Sequence, residues 1–200
     1  RVTEDPTRVA MRLIGGEHQT VHLRLFRAGA PIALSQVLPI LENLGFLVIS
    51  ERPYLVNIAG AGELWITSYE MRRTDGEGIR SDLSERFSDA FTAVLSGQAE
   101  NDGFNRLVVL TSMRWRQTMV LRAYCGYLLQ TSSTFSQSYM EQVLAANAPI
   151  AALLWQIFEA QFDPRLKAAG RDSSMAELQK TFAQGLDGGK SLDEDRILRC

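Results

Sequence analysis

Hydrophobic and polar positions alternate from Thr20 to Phe26, with Val21, Leu23 and Leu25 on one side and His22, Arg24 and Phe26 on the other. That two-residue period predicts a half-buried strand. The run Arg8–Ile14 predicts a partner strand across a turn at Gly15-Gly16. Beyond Gly29, residues Ile32, Leu34, Val37, Leu38, Leu41 and Leu44 recur at helical spacing and Gly45 supplies a stop. Pro39 interrupts this pattern, so a late start capped by Ser35, or a kink, is expected. FLVISERPYLV and ELWITSYEMRR predict two further strands around Gly60-Ala61-Gly62. An apolar stripe of Leu83, Phe87, Ala90, Phe91, Val94 and Leu95 then predicts a helix over 79–95. The order is β-α-β-β-α, and FNRLVVL at 104–110 is either a last strand or a short helix.

The polar loop 97–103 marks a boundary, after which helical periodicity dominates. Helices are expected over 113–130, over 138–146 behind a capping box Ser138-x-x-Glu141, and after Asn147 with Pro149 in the first turn. Met175, Leu178, Phe182 and Leu186 outline a weaker amphipathic helix before Gly188-Gly189. Two domains are therefore expected, 1–100 α+β and 101–200 helical.

Composition adds mainly exclusions. A formal charge of −2 with no local Lys/Arg cluster along the sequence argues against nucleic acid or an anionic membrane as partner. No apolar run reaches the roughly 18–20 residues of a membrane span, and Arg1–Leu13 lacks a signal-peptide core. Two cysteines, Cys125 in an apolar pattern and Cys200 at the end, make no disulfide framework, so a cytoplasmic, reducing setting is expected. A start without Met and an end inside the charged pattern SLDEDRILRC suggest an excised fragment.

Catalytic constellations do not assemble. Gly185-Leu186-Asp187-Gly188-Gly189-Lys190-Ser191 misses the phosphate-loop spacing because Gln184 stands at the first glycine position. Gly60-Ala61-Gly62 lies between strands and lacks the third glycine of a dinucleotide turn. His18 and His22 would lie about 13 Å apart along a strand, too far to share a metal. No nucleophile has a base and an orienting group near it in the sequence, Cys125 reads as a small core residue, and Asp193-Glu194-Asp195 reads as first-turn charge of a helix.

Several stretches, in one consistent order, carry a resemblance. They are Arg27 to Ser35, Val37 to Gly45, Ile49 with Glu51-Arg52-Pro53-Tyr54, Phe104 to Val108, Trp115-Arg116 with Leu121 to Tyr124, Phe135 to Tyr139, and Ser191 to Arg199. Together they resemble the ACT-like and following helical segment of large bacterial NAD-specific glutamate dehydrogenases. The resemblance implies an ACT-like (ferredoxin-like) βαββα(β) domain followed by an all-helical segment. It also implies a parent enzyme that oxidatively deaminates L-glutamate to 2-oxoglutarate and ammonia with NAD, working as a homo-oligomer. The catalytic lysines and NAD fold then lie elsewhere, so this segment is expected to hold no catalytic, cofactor-binding or metal residue, and its partners are other domains and subunits of the same enzyme.

ACT domains often bind amino acids at the first strand-to-helix turn, where a glycine opens backbone N–H groups to a ligand. Gly29 stands at that turn. Arg27 is a candidate for an effector carboxylate, with Ser35 and Asn43 as hydrogen-bonding candidates. Two alternatives to a structural role follow: an allosteric amino-acid module, or a stand-alone helical interaction protein presenting the Trp115–Gln130 and Ala148–Phe162 helices.

Overall fold

The computed structural model describes residues 9–60, 62–80, 82–131, 134–165, 168–186 and 191–199. It divides into two compact units, Arg1–Asn105 and Arg106–Cys200. The predicted α+β region followed by helices is what the chain forms.

In the first unit, strands β1 (Val9–Gly15), β2 (Thr20–Ala28), β3 (Phe46–Ile58) and β4 (Gly62–Arg73) form one antiparallel sheet in the order β1-β2-β4-β3. Helices α1 (Leu34–Asn43) and α2 (Leu83–Leu95) cover one face, where Val21, Leu23, Leu25, Tyr69 and Met71 are buried. Phe87 of α2 meets Phe46 edge-on at 5.4 Å and stacks on Phe91 at 6.0 Å, centring this core. The opposite face, with Arg24 exposed and His22 and Phe26 half-buried, carries no helix of this unit among the described residues.

A strand after α2 is not needed. β1 already fills the edge beside β2 that a βαββα(β) order would give to the last strand, and β4 occupies the other side of β2. Residues 103–110 are instead a short 3-10 turn (Gly103–Asn105) running into helix α3 (Arg106–Leu110).

The β1–β2 turn differs from the expected glycine turn. Gly15 and Gly16 have no positive φ; His18 and Gln19 do, at 51° and 62°. A Cβ at Gly16 would come within 2.8 Å of His22 Nε2, so a larger residue there would have to displace neighbouring side chains. His18 is therefore a turn residue, not part of the strand that carries His22. Left-handed backbone strains a side-chain-bearing residue by about 1 kcal/mol, so Gln19→Gly is expected to raise stability by roughly 0.5–1 kcal/mol in urea unfolding.

Pro39 does not delay or break α1. The N-cap is Ala33 rather than Ser35, and the helix runs through Pro39 to Asn43. The carbonyl deprived of a donor is that of Ser35, which is exposed and open to water. Helix α2 starts at Leu83, later than 79, because buried Arg73 ties down the preceding loop. Its guanidinium pairs with Asp75 and donates to the Gly78 carbonyl at 2.9 Å.

The second unit packs α3, α4 (Trp115–Gln130), α5 (Gln137–Ala146), α6 (Ala148–Phe162), α7 (Ala168–Leu186) and α8 (Leu192–Arg199). Helix α5 lies at its centre, touching α3, α4, α6 and α8. Its N-cap is Ser136, two residues before the predicted box: Ser136 Oγ accepts from the Tyr139 N–H at 3.3 Å, and Gln137 donates to Glu141 at 2.9 Å. Helix α4 starts at Trp115, with Gln117 Oε1 accepting the Arg114 N–H at 2.6 Å. The weakly amphipathic α7 gains its partner surface on α6, where a Cβ at Gly185 would meet Ile150 Cδ1 at 2.5 Å. No single described helix is long and apolar enough to cross a membrane; α5 and α6 together have the length but are bent by 99°. Residues 187–190, the middle of the phosphate-loop lookalike Gly185–Ser191, and Cys200 lie outside the described residues.

Candidate functional site

The β2–α1 connection holds three of the four candidate effector residues. Arg27 is half-buried near the end of β2, opposite Val9 and Trp65. Gly29 adopts φ +82°, and a Cβ there would meet nothing within 4 Å, so glycine serves the backbone conformation and the space in front is open. The turn's own donors are already used. Gly29 N–H donates to the Glu63 carbonyl at 3.1 Å, and Ala30 N–H to the Ala28 carbonyl at 3.1 Å.

Free donors lie one step further on, at the start of α1. Ala33 has no side-chain oxygen, so the Leu34 and Ser35 N–H groups receive no side-chain cap and the positive end of the helix dipole is left unscreened. Ser35 is exposed beside them. Asn43 is at the other end of α1, about 12 Å along the axis from Ser35 at 1.5 Å per residue, where its amide donates to Asn101 at 3.0 Å. Arg27, Gly29 and Ser35 thus lie at the end of β2, in the connection and in the first turn of α1, whereas Asn43 lies at the far end of that helix.

A second feature escaped the sequence patterns. Strand β3 has 13 residues, about 44 Å at 3.4 Å per residue, whereas α1 has 10, about 15 Å. The hairpin therefore outruns the helix layer, and Tyr54, Leu55, Val56 and Ile58 are all exposed. The signal was a strand written apolar on both faces, Tyr54-Leu55-Val56, which ordinarily marks burial on two sides. Nearer the helices, Tyr69 is fully buried and donates to Glu51 at 3.2 Å. Burial, then the Glu51 charge and its hydrogen bond, push the phenol well above its ordinary range.

Among the described residues no group of three or more His, Cys, Asp or Glu side chains could hold a metal ion. Gly60 and Gly62 close the β3–β4 hairpin with positive φ rather than opening a helix. Cys125 is buried, and burial followed by the Glu141 charge pushes its thiol up to about 11. A folded-state value above the unfolded one favours the native state at neutral pH, and that contribution is lost as pH rises from about 9 through 11. Alkylation of Cys125 by iodoacetamide at pH 8 is accordingly expected only on unfolding, and Cys125→Ala is expected to flatten the fall in stability above pH 9.

Residues 8–84 match the model of the glutamate dehydrogenase ACT3 domain, and residues 99–164 that of glutamate dehydrogenase helical motif 3. The chain carries the ACT3 domain and helical motif 3 of the glutamate dehydrogenase family. The NAD-specific glutamate dehydrogenase of Pseudomonas aeruginosa is 40% identical over 192 residues, covering 94% of this chain, and that of Halomonas elongata 39% over 189, also 94%. The Mycobacterium tuberculosis enzyme of the same name is 34% identical over 190 residues, covering 92%. The chain spans 12% of the length of each of these relatives.

In this ACT3 domain Gly29 has positive φ at the β2–α1 turn, and the strand at the sheet edge beside β2 is an N-terminal strand instead of a final one. Helical motif 3 ends, at 164, with α6, whose Trp155, Phe158 and Phe162 form a ladder that Tyr124 of α4 joins at 6.0 Å.

Proposed function

We propose that this chain is a packing and regulatory segment of an NAD-dependent glutamate dehydrogenase, in which other parts of a cytoplasmic, homo-oligomeric polypeptide convert L-glutamate to 2-oxoglutarate and ammonia. The observation that carries the reading is the two consecutive family matches, to a domain and a motif of that enzyme, over a chain covering 12% of its relatives. The exposed hairpin and the α6 ladder, with Trp155 and Phe158 half-buried and Phe162 exposed, are surfaces that suit contact with further domains or subunits. NAD belongs to the whole enzyme in this reading, as the relatives' name, NAD-specific glutamate dehydrogenase, supports. The test compares NADH formation from glutamate and NAD by the full-length protein and by residues 1–200. Turnover is expected only in the former, and turnover by the purified 200-residue chain would overturn the reading.

A second reading rests on the uncapped start of α1 beside the open space at Gly29: an amino-acid carboxylate held by the Leu34 and Ser35 N–H groups with Arg27 nearby. A ligand specific to the folded state raises its melting temperature. Calorimetry across the common amino acids tests this, and a flat response at millimolar concentration removes it.

A further inference from the structure

The sheet face left open by the helices is divided sharply by chemistry. One cross-strand row reads Arg12, Arg24, Ser68, Arg52, because Arg12 pairs with Arg24, Arg24 with Ser68, and Ser68 with Arg52. The row before it reads Ala10, Phe26, Ile66, Tyr54. Arg72 adds a fourth guanidinium further along the same face. All four arginines are exposed, and none forms an ion pair with another described residue. Glu70, the nearby carboxylate on this face, accepts a hydrogen bond from Ser50 at 3.2 Å.

Direct opposition of Arg12 and Arg24 works against sheet formation, since like charges across a strand pair repel. Three arginines thus line up over about 14 Å, three strand spacings of roughly 4.8 Å, beside an apolar terrace. The surface is a sheet face rather than a cleft, which suits a protein element better than a small molecule. A second copy laid face to face about a two-fold axis would bring guanidinium rows towards one another. Strand addition at the β3 edge is opposed by Pro53, which has no N–H, and by the irregularity between Val48 and Ser50. Nucleic acid and anionic lipid surfaces meet a chain of net charge −2, which offers no long-range attraction.

We infer that this face docks an amphipathic helix from elsewhere in the same polypeptide, carboxylates along one side meeting Arg12, Arg24 and Arg52, and aliphatic side chains along the other meeting Phe26, Ile66 and Tyr54. The inference rests on the proposed function, in which the chain is 12% of a much longer protein. Charge complementarity selects the acidic side, and the neighbouring apolar row selects the aliphatic one.

Arginine labelling by phenylglyoxal, read by mass spectrometry, tests it. In the 200-residue chain the four arginines are expected to react freely; in the full-length protein Arg12, Arg24 and Arg52 are expected to react at least tenfold more slowly, independently of protein concentration. The full-length double variant Arg24→Glu, Arg52→Glu is expected to return Arg12 to the rate of the isolated chain, and Arg24→Gln, Arg52→Gln to move it the same way. Equal rates in the two proteins overturn the inference, as does protection that grows with concentration of the isolated chain, which marks self-association. Protection of the full-length protein that appears only with added RNA or anionic vesicles also overturns it. Absence of glutamate-dependent NADH formation by the full-length protein would sink the functional reading while leaving the labelling comparison intact.

Discussion

Phe87→Ala is expected to destabilise the sheet unit by about 3–5 kcal/mol, the range for deleting a fully buried aromatic side chain. Phe87 has no exposed surface and lies against Phe46 at 5.4 Å and Phe91 at 6.0 Å. Truncation removes the burial of the ring, leaves a cavity between α2 and the start of β3, and forfeits aromatic contacts worth roughly 0.5–1.5 kcal/mol each. Phe87→Leu keeps most of the volume and is expected to cost clearly less. Urea unfolding measures the loss, and hydrogen exchange locates it: protection should fall in peptides from 9–95. A cost below 1 kcal/mol for Phe87→Ala would mean that this aromatic cluster is not the centre of the fold.

Met140→Ala is expected to cost the helical unit about 2–5 kcal/mol. Met140 is 1% exposed on α5, the helix that touches α3, α4, α6 and α8. A cavity there opens towards several helices at once, and none of the small neighbours on α5 can fill it without moving a turn of backbone. Met140→Leu, close in volume, is expected to cost under about 1.5 kcal/mol. Hydrogen exchange should show the loss in peptides from 106–160 and leave the sheet peptides protected. Loss spread equally over 9–95 would contradict our proposal that the two units are separate domains divided near residue 105.

The pairing of these two substitutions also bears on docking. Phe87 faces the helix-covered side of the sheet, whereas the arginine row lies on the other side. A variant destabilised at Phe87 that still showed slow labelling of Arg24 in the full-length protein would place the docking contact among the forces that hold the sheet together.

The sequence by itself determined those elements whose periodicity coincides with a single buried face. Val21, Leu23 and Leu25 had to share a side in any strand, and Leu83, Phe87, Ala90, Phe91 and Val94 had to share a side in any helix, because backbone geometry alone fixes those spacings. The family resemblance was legible for the same reason that it is spread out: no single site carries it, and the resembling stretches run from the β2–α1 turn to the last helix. The glycine turn at Gly29 was legible too, since a positive φ between a strand and a helix selects glycine.

Only the tertiary structure decided what depends on which neighbours are already present. Residues 104–110 are helical because β1 had taken the open side of β2, and no local pattern in FNRLVVL records that competition. Pro39 sits within α1 because the orphaned Ser35 carbonyl is exposed, and Ser136 rather than Ser138 caps α5 because its hydroxyl reaches the Tyr139 N–H. Asn43 leaves the candidate site because a helix carries it to the far end. The arginine row arises only when four strands take their register, since Arg12, Arg24 and Arg52 are distant along the chain and adjacent only across the sheet. Local sequence fixes which face a side chain takes within its own element; the sheet order and register fix which charges must share that face.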